Sequence, residues 1–296
     1  MRPAVRRPIA GLLVPLLLCG CTGLVFQPET GQRIDLADHG IAYRDIHFRA
    51  SDGVRLHAWY IPATTLARGT IVFAHGNAGN LGTHVANVAW LRERGYNLFA
   101  FDYRGYGLSS GTPTMAGVHR DTVAALRMAD RLDDLPRRRL VLFGQSLGGA
   151  IATVVAARIP RDEDPGALVV DSAPSSYRTV AREALAGWWL TWPLQLPLSW
   201  LVTGDYAAID AAPRLPPIPK LFIGNRRDRT IAAHHARRLQ AAATPPAACW
   251  LVDVPGHGAT FLDPVLRERF VAWLDAALEA RAGRAPGAGR RCMPVP

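Results

Sequence analysis

The stretch Leu140-Val-Leu-Phe-Gly-Gln-Ser146-Leu-Gly-Gly149 decides how the rest of the chain is read. Four apolar residues, 140–143, run into Gly144-x-Ser146-x-Gly148, and small apolar residues continue through 150–157. A strand followed by a helix is the setting in which Gly-x-Ser-x-Gly forms a tight turn that lifts the serine hydroxyl off the sheet edge. Such a turn strains the serine backbone and leaves no room for bulky side chains two positions away, hence the glycines. The pentapeptide is common by chance, so the surrounding chain has to supply the sheet, a base and an acid.

Outward from the elbow, strands and helices alternate. Residues 43–49 and 54–61 alternate in polarity around Ser51-Asp52-Gly53, a hairpin signal. Apolar runs at 70–74, 97–101, 140–143, 167–170, 220–223 and 250–252 read as buried strands, with helices expected over 82–94 and 115–132. This order calls for a mostly parallel sheet covered by helices on both faces, mixed at its start by the hairpin. Residues 172–219 break the alternation. They hold four tryptophans between Trp188 and Trp200, interrupted by Pro193 and Pro197, and read as a small apolar cap.

The ends read differently. Arg2, Arg6 and Arg7 precede a short apolar run, 9–18, too short to span a bilayer, which is the pattern of a signal peptide over 1–20. Residues 21–40 read as a tether, 41–282 as the folded domain, and 283–296, rich in Ala, Gly, Arg and Pro, as a disordered tail. Cys249 and Cys292 read as two unpaired thiols, one in a strand and one in that tail. The chain has 34 basic and 24 acidic residues, and Lys220 is the sole lysine. The arginines are scattered without aromatic interleaving, so no nucleic-acid partner is expected.

Hydrolysis by serine needs a base, a carboxylate to orient it, and donors for the oxyanion. In elbow-type folds the acid and then the histidine follow the serine along the chain. Only His234, His235 and His257 follow Ser146. The first two lie in a helical pattern where exposure is expected, whereas His257 sits between glycines just past an apolar strand. Asp228, also just past a strand, is the expected acid, with Asp171 the competitor. The oxyanion donors are expected to be the N–H groups of Leu147 and of Asn77, in the Gly-rich loop His75-Gly-Asn-Ala-Gly-Asn80. No metal cluster or nucleotide loop is visible in the sequence, so no cofactor is expected.

These blocks, together with Phe101-Asp-Tyr-Arg-Gly-Tyr-Gly107, resemble the α/β-hydrolase superfamily over about residues 43–280. The likeness is to its Bem46-like branch of serine hydrolases, related to serine aminopeptidases. It implies an α/β-hydrolase fold and an acyl-enzyme mechanism on Ser146, Asp228 and His257. An acyl ester or thioester is the expected substrate, with a peptidase or a non-catalytic ligand-binding lipoprotein as alternatives. In that branch a glycine usually stands where this chain has Asn225. Separately, Leu18-Cys19-Gly20-Cys21 resembles a bacterial lipobox, with Cys19 as a departure. That resemblance implies lipid attachment at Cys21 and a membrane-anchored, periplasm-facing place in the cell envelope, with an ordinary cleaved signal peptide and a secreted protein as the alternative.

Overall fold

All six residues of β5 (Leu140–Gln145) are buried, with Leu140 and Leu142 packed on one face of the sheet and Val141 and Phe143 on the other. A strand covered on both faces belongs in the middle of a parallel sheet, and that is where the computed structural model puts it. The structure describes residues 25–32, 34–132, 134–186, 195–200, 202, 204–280 and 292–295. Cys21, residues 1–20 (read above as a signal peptide) and Trp188, Trp189 and Trp192 lie outside them.

The other strands are β1 (Arg44–Arg49), β2 (Arg55–Ile61), β3 (Gly69–Ala74), β4 (Tyr96–Phe101), β6 (Ala167–Asp171), β7 (Lys220–Asn225), β8 (Ala247–Val252) and β9 (Met293–Pro294). Their spatial order is β1-β2-β4-β3-β5-β6-β7-β8-β9. The β1–β2 hairpin is antiparallel, β2 meets β4 antiparallel, and every later pairing is parallel. From β3 the chain moves to β4 on one side and then to β5 on the other. The loops leaving β3 and β5 therefore diverge at the sheet's C-terminal edge, which opens the crevice where α/β proteins place their sites.

One face is covered by α2 (Met115–Leu132), α3 (Leu147–Arg158) and α7 (His234–Ala242), through side chains such as Val118, Ile151 and Leu239. The opposite face is covered by α8 (Pro264–Glu279) and a 3₁₀ segment (Ala89–Arg94), through Phe270, Leu274 and Leu91. The helix expected over 82–94 is only one α-helical turn, α1 (Leu81–His84), followed by 3₁₀ turns. Val85, Asn87 and Val88 are weak helix formers, and the Trp90 indole N–H takes the Asn87 carbonyl at 3.0 Å.

Both ends correct the sequence reading. The segment expected as a tether is docked from Val25 onwards. Phe26 and Leu36 are buried, and Glu29 and Gly31 hydrogen-bond the backbone of Gly79 and Gly107 at 2.8–3.0 Å. Two apolar anchors and a pair of β-bridges hold it there. At the other end, residues 292–295 are not free tail. Met293–Pro294 pairs with β8, Val295 is buried, and Cys249 and Cys292 form a disulfide where unpaired thiols were expected. The parallel pairing brings the two Cα atoms to 4.4 Å, within disulfide range. The region expected as a cap contributes α4 (Tyr177–Ala186), α5 (Gln195–Ser199) and α6 (Ala208–Ala211), of which α4 and α5 pack on each other.

The disulfide spans a sequence separation of 43, for which chain entropy sets an upper bound of roughly 4 kcal/mol of stabilisation. Cys292→Ser is therefore expected to lower the melting temperature by several degrees. Reductant should lower the wild-type value and leave that of the variant unchanged in thermal scans.

Candidate active site

Ser146 stands between β5 and α3 at φ 54°, ψ −119°, a conformation that costs energy for any residue with a Cβ. Its N–H donates to the Asp171 carbonyl at 2.8 Å, which ties the turn to the end of β6. A Cβ on Gly144 would sit 2.2 Å from the Gly148 carbonyl oxygen, and one on Gly148 would sit 2.0 Å from that of Ala74. Both glycines are thus required by close packing, and the elbow presses directly on the end of β3. Leu147 opens α3, where first-turn N–H groups have no intrahelical acceptor. Asn77 lies three residues past β3, on the other side of the same crevice.

The structure brings Ser146, His257 and Asp228 together. Ser146 Oγ is 2.8 Å from His257 Nε2, and His257 Nδ1 is 2.6 Å from Asp228 Oδ2. The Asp228 side chain is fully buried, and its other oxygen accepts the N–H groups of Thr230 and Ile231 at 2.8 and 2.9 Å. A carboxylate held on both sides fixes the imidazole with Nδ1 protonated and Nε2 free to accept from the serine hydroxyl. His257 sits on the loop after β8 between Gly256 and Gly258, both at positive φ, and its side chain is partly open to solvent. Asp171, the competing acid, is committed elsewhere. It is fully buried, which pushes its pKa up, and it accepts from Thr260 Oγ1, Ser172 Oγ and Gln145 Nε2.

His234 and His235 do not join Ser146, and the expected exposure fails for His235, which is completely buried. Their Nε2 atoms meet the two oxygens of Glu183 at 3.0 and 3.1 Å, joining α4 to α7. Glu183, His234 and His235 form a group that a metal ion could use. However, His235 Nδ1 accepts the Ser175 N–H at 3.1 Å, so the ring proton lies on Nε2 and points at Glu183. A metal-bound histidine needs the reverse arrangement, so this donor set fits a hydrogen-bonded clasp.

Four further side chains hold the site, and the sequence reading assigned a role to none of them. Asn77 was singled out for its main-chain N–H, but its side chain accepts from Gln27 N and Tyr106 Oη and donates to Val25 O, at 2.6–2.9 Å. Gln145 donates to the Gly258 carbonyl at 3.0 Å, linking the elbow to the His257 loop. Asn225 donates to the carbonyls of Val254 and Gly256 at 2.9 and 2.6 Å and accepts from Arg227 N, clamping the acid loop to the histidine loop. His84 donates from Nε2 to the Ala78 carbonyl at 2.6 Å, and its ring stacks on His75, which braces the loop after β3. Burial, with His75 and His257 nearby, lowers the His84 pKa to about 4. Only Asn225 carried a signal, as a departure from the glycine of similar proteins.

An open cavity of about 620 Å³ adjoins the site, lined by Arg226, Arg227, Asp228, Arg229, Gly256 and His257 among others. A larger one, about 700 Å³, lies between α2 and the C-terminal end of α3 and contains none of these three site residues.

Comparisons with known proteins agree with this fold. A family model described as "Serine aminopeptidase, S33" matches residues 65–207. The uncharacterized protein YfhR of Escherichia coli is 38% identical over 240 residues, covering 79% of this chain and 81% of that protein. The α/β-hydrolase domain-containing protein WAV2 of Arabidopsis thaliana is 34% identical over 246 residues, covering 79% and 77%. Among solved structures, the Pyrococcus furiosus esterase Pf2001 superposes with a TM-score of 0.65 at 22% identity, covering 84% of this chain and 94% of that one. An α/β hydrolase from Vibrio vulnificus gives 0.67 at 18%, covering 81% and 87%.

Two outcomes follow from this geometry. Asn225→Ala removes the clamp between the acid and histidine loops, and the loss of these buried hydrogen bonds is expected to lower the melting temperature by several degrees. Through an angstrom-scale misplacement it is also expected to cost on the order of tenfold or more in kcat at temperatures where the variant stays folded. The second concerns pH. His119 shares the low pKa of His84, about 4 in each case, His119 through burial against Tyr206. The unfolded chain takes up these protons near pH 6.5, so stability falls as pH drops from about 6.5 to about 4, by on the order of 3 kcal/mol per residue. His119→Phe, which keeps the stack on Tyr206, should flatten that decline in melting temperature.

Proposed function

This chain belongs to the α/β-hydrolase superfamily, and from that premise we propose that it is a serine hydrolase acting on an acyl ester or thioester through an acyl-enzyme. The observation that carries the reading is the unbroken chain Ser146 Oγ, His257 Nε2, His257 Nδ1, Asp228 Oδ2, with contacts of 2.8 and 2.6 Å at the crevice edge of the sheet. In this reaction His257 takes the hydroxyl proton as Ser146 attacks the acyl carbonyl, and Asp228 holds the imidazolium that forms. The tetrahedral oxyanion is received by the N–H groups of Leu147 and Asn77. His257 then returns the proton to the leaving alcohol or thiol, and water, deprotonated by the same imidazole, clears the acyl group.

The reading of Cys21 as the lipid-bearing residue of an exported protein is part of the proposal. It is supported by the lipobox-like sequence and by the Cys249–Cys292 disulfide, a bond characteristic of oxidising compartments. An aminopeptidase would need a free carboxylate near the site to hold a substrate's amino terminus. Glu183, one acidic residue of the insertion, is engaged by two histidines instead.

Ser146→Ala is expected to lower turnover of p-nitrophenyl acyl esters by about 10⁴-fold or more while leaving the fold intact, and Asp228→Asn by about 10³–10⁴-fold. A fluorophosphonate probe should label the wild type at Ser146. Full activity of Ser146→Ala would overturn the assignment, and the absence of an adduct would favour a non-catalytic binding protein.

A further inference from the structure

We propose that the edge of the sheet carrying Ser146 is a membrane-facing surface, docked on an anionic bilayer, so that the acyl substrate is presented from the lipid phase. The inference rests on the hydrolase reading above and names the setting of its substrate. Three observations converge on one edge.

The first is where apolar surface is left uncovered. Seven large hydrophobic side chains are exposed among the described residues, and five of them, Leu108, Leu196, Trp200, Leu262 and Val265, lie on connections that leave the C-terminal ends of β4, β6 and β8. Trp200 and Leu262 are 73% and 70% exposed. Thr260, close to Leu262, donates to Asp171 at the end of β6, and Ser110, close to Leu108, donates to Arg55 at the start of β2, which puts both at the edge carrying Ser146. Leu196 and Trp200 belong to the insertion whose α4 is clasped through Glu183 to His234 and His235 at the start of α7. Exposed apolar residues gathered on one side mark a contact surface.

The second is charge. Arg226, Arg227 and Arg229 project from the loop after β7 at the same edge and line the cavity beside His257. Arg227 has an acidic neighbour, Asp253, but at 3.7 Å and with both side chains well exposed. Apolar side chains for insertion, flanked by arginines for anionic headgroups, are the combination that binds a bilayer interface.

The third is the way the chain enters the fold. Val25 and Gln27 are hydrogen-bonded to the Asn77 side chain, so the N-terminal segment joins the domain at the rim of the crevice. Four residue steps separate Val25 from Cys21, a reach of at most about 14 Å. A lipid on Cys21 therefore cannot stray far from the site, and it holds this edge against the membrane.

The test compares the full chain with a Leu196→Ser/Trp200→Ser/Leu262→Ser variant and with a separate Arg226→Ser/Arg227→Ser variant. Each is reconstituted in phosphatidylcholine vesicles with or without phosphatidylglycerol. Two substrates are used, a water-soluble short-chain p-nitrophenyl ester and a long-chain acyl ester embedded in the vesicles. The triple variant is expected to lose on the order of tenfold or more of its activity on the embedded ester, with soluble-ester turnover and melting temperature unchanged. The arginine variant should lose the rate gain that phosphatidylglycerol gives the wild type. Equal activity of wild type and triple variant on the embedded ester would overturn the proposal while leaving the hydrolase reading standing. If the wild type cleaves neither ester, the hydrolase reading fails, and the surface is then judged by phosphatidylglycerol-dependent vesicle flotation of a chain begun at Thr22, which retains every described element. Flotation lost in the triple variant supports the surface, and absence of flotation in the parent chain overturns it.

Discussion

The contact between the serine elbow and the end of β3 is the constraint on which the site depends. Ser146 occupies a backbone conformation that no isolated peptide would hold, and such strain persists only where the surroundings determine it. Here they do so through the main chain. Gly148 packs on the Ala74 carbonyl, Gly144 packs on Gly148, and the Ser146 N–H is bound by Asp171 at the end of β6. The three central strands thereby hold the turn rigid. Because the loops leaving β3 and β5 diverge at this point, the hydroxyl is presented into a crevice and not into a helix.

Acid, base and nucleophile come from three separate loops, and rigid strands alone do not align them. Short polar side chains supply the cross-links. Gln145 joins the elbow to the histidine loop, Asn225 joins the histidine loop to the acid loop, and Asn77 and His84 hold the loop after β3. A single such bond contributes only about 1 kcal/mol to stability, but each fixes one loop relative to another. Beneath them, the buried Arg104 binds Asp121 and Asp52 and anchors the block after β4, and Tyr106 from the same block reaches Asn77.

Ser146, Asp228 and His257 were legible in the sequence for one reason. Each follows an apolar run long enough to be a buried strand, and parallel strands deliver their following residues to the same edge. The alternation of strands and helices likewise predicted the sheet and its antiparallel start. What could not be read depends on contacts with no local pattern. The Asn77 side chain meets Val25 and Gln27 some fifty residues away. Cys249 and Cys292 become partners only because a two-residue strand pairs with β8, and that strand lies beyond a stretch whose composition reads as unstructured. His235 is buried because Glu183 and Ser175, from the insertion, close over it, although its own helix pattern reads as an exposed face.

The docked N-terminal segment changes how the site is to be regarded. A stretch that reads as a spacer has its backbone fastened to Gly79 and Gly107 and to both polar atoms of the Asn77 amide. The side chain of Asn77 is thus held by the segment and by Tyr106, while its main chain stays in the loop that borders the crevice. From Val25 onwards, any force transmitted along this segment acts on that loop first. The docking of this segment and the geometry of that loop are therefore carried by the same few hydrogen bonds, so the chain's path into the fold is part of the architecture of the site.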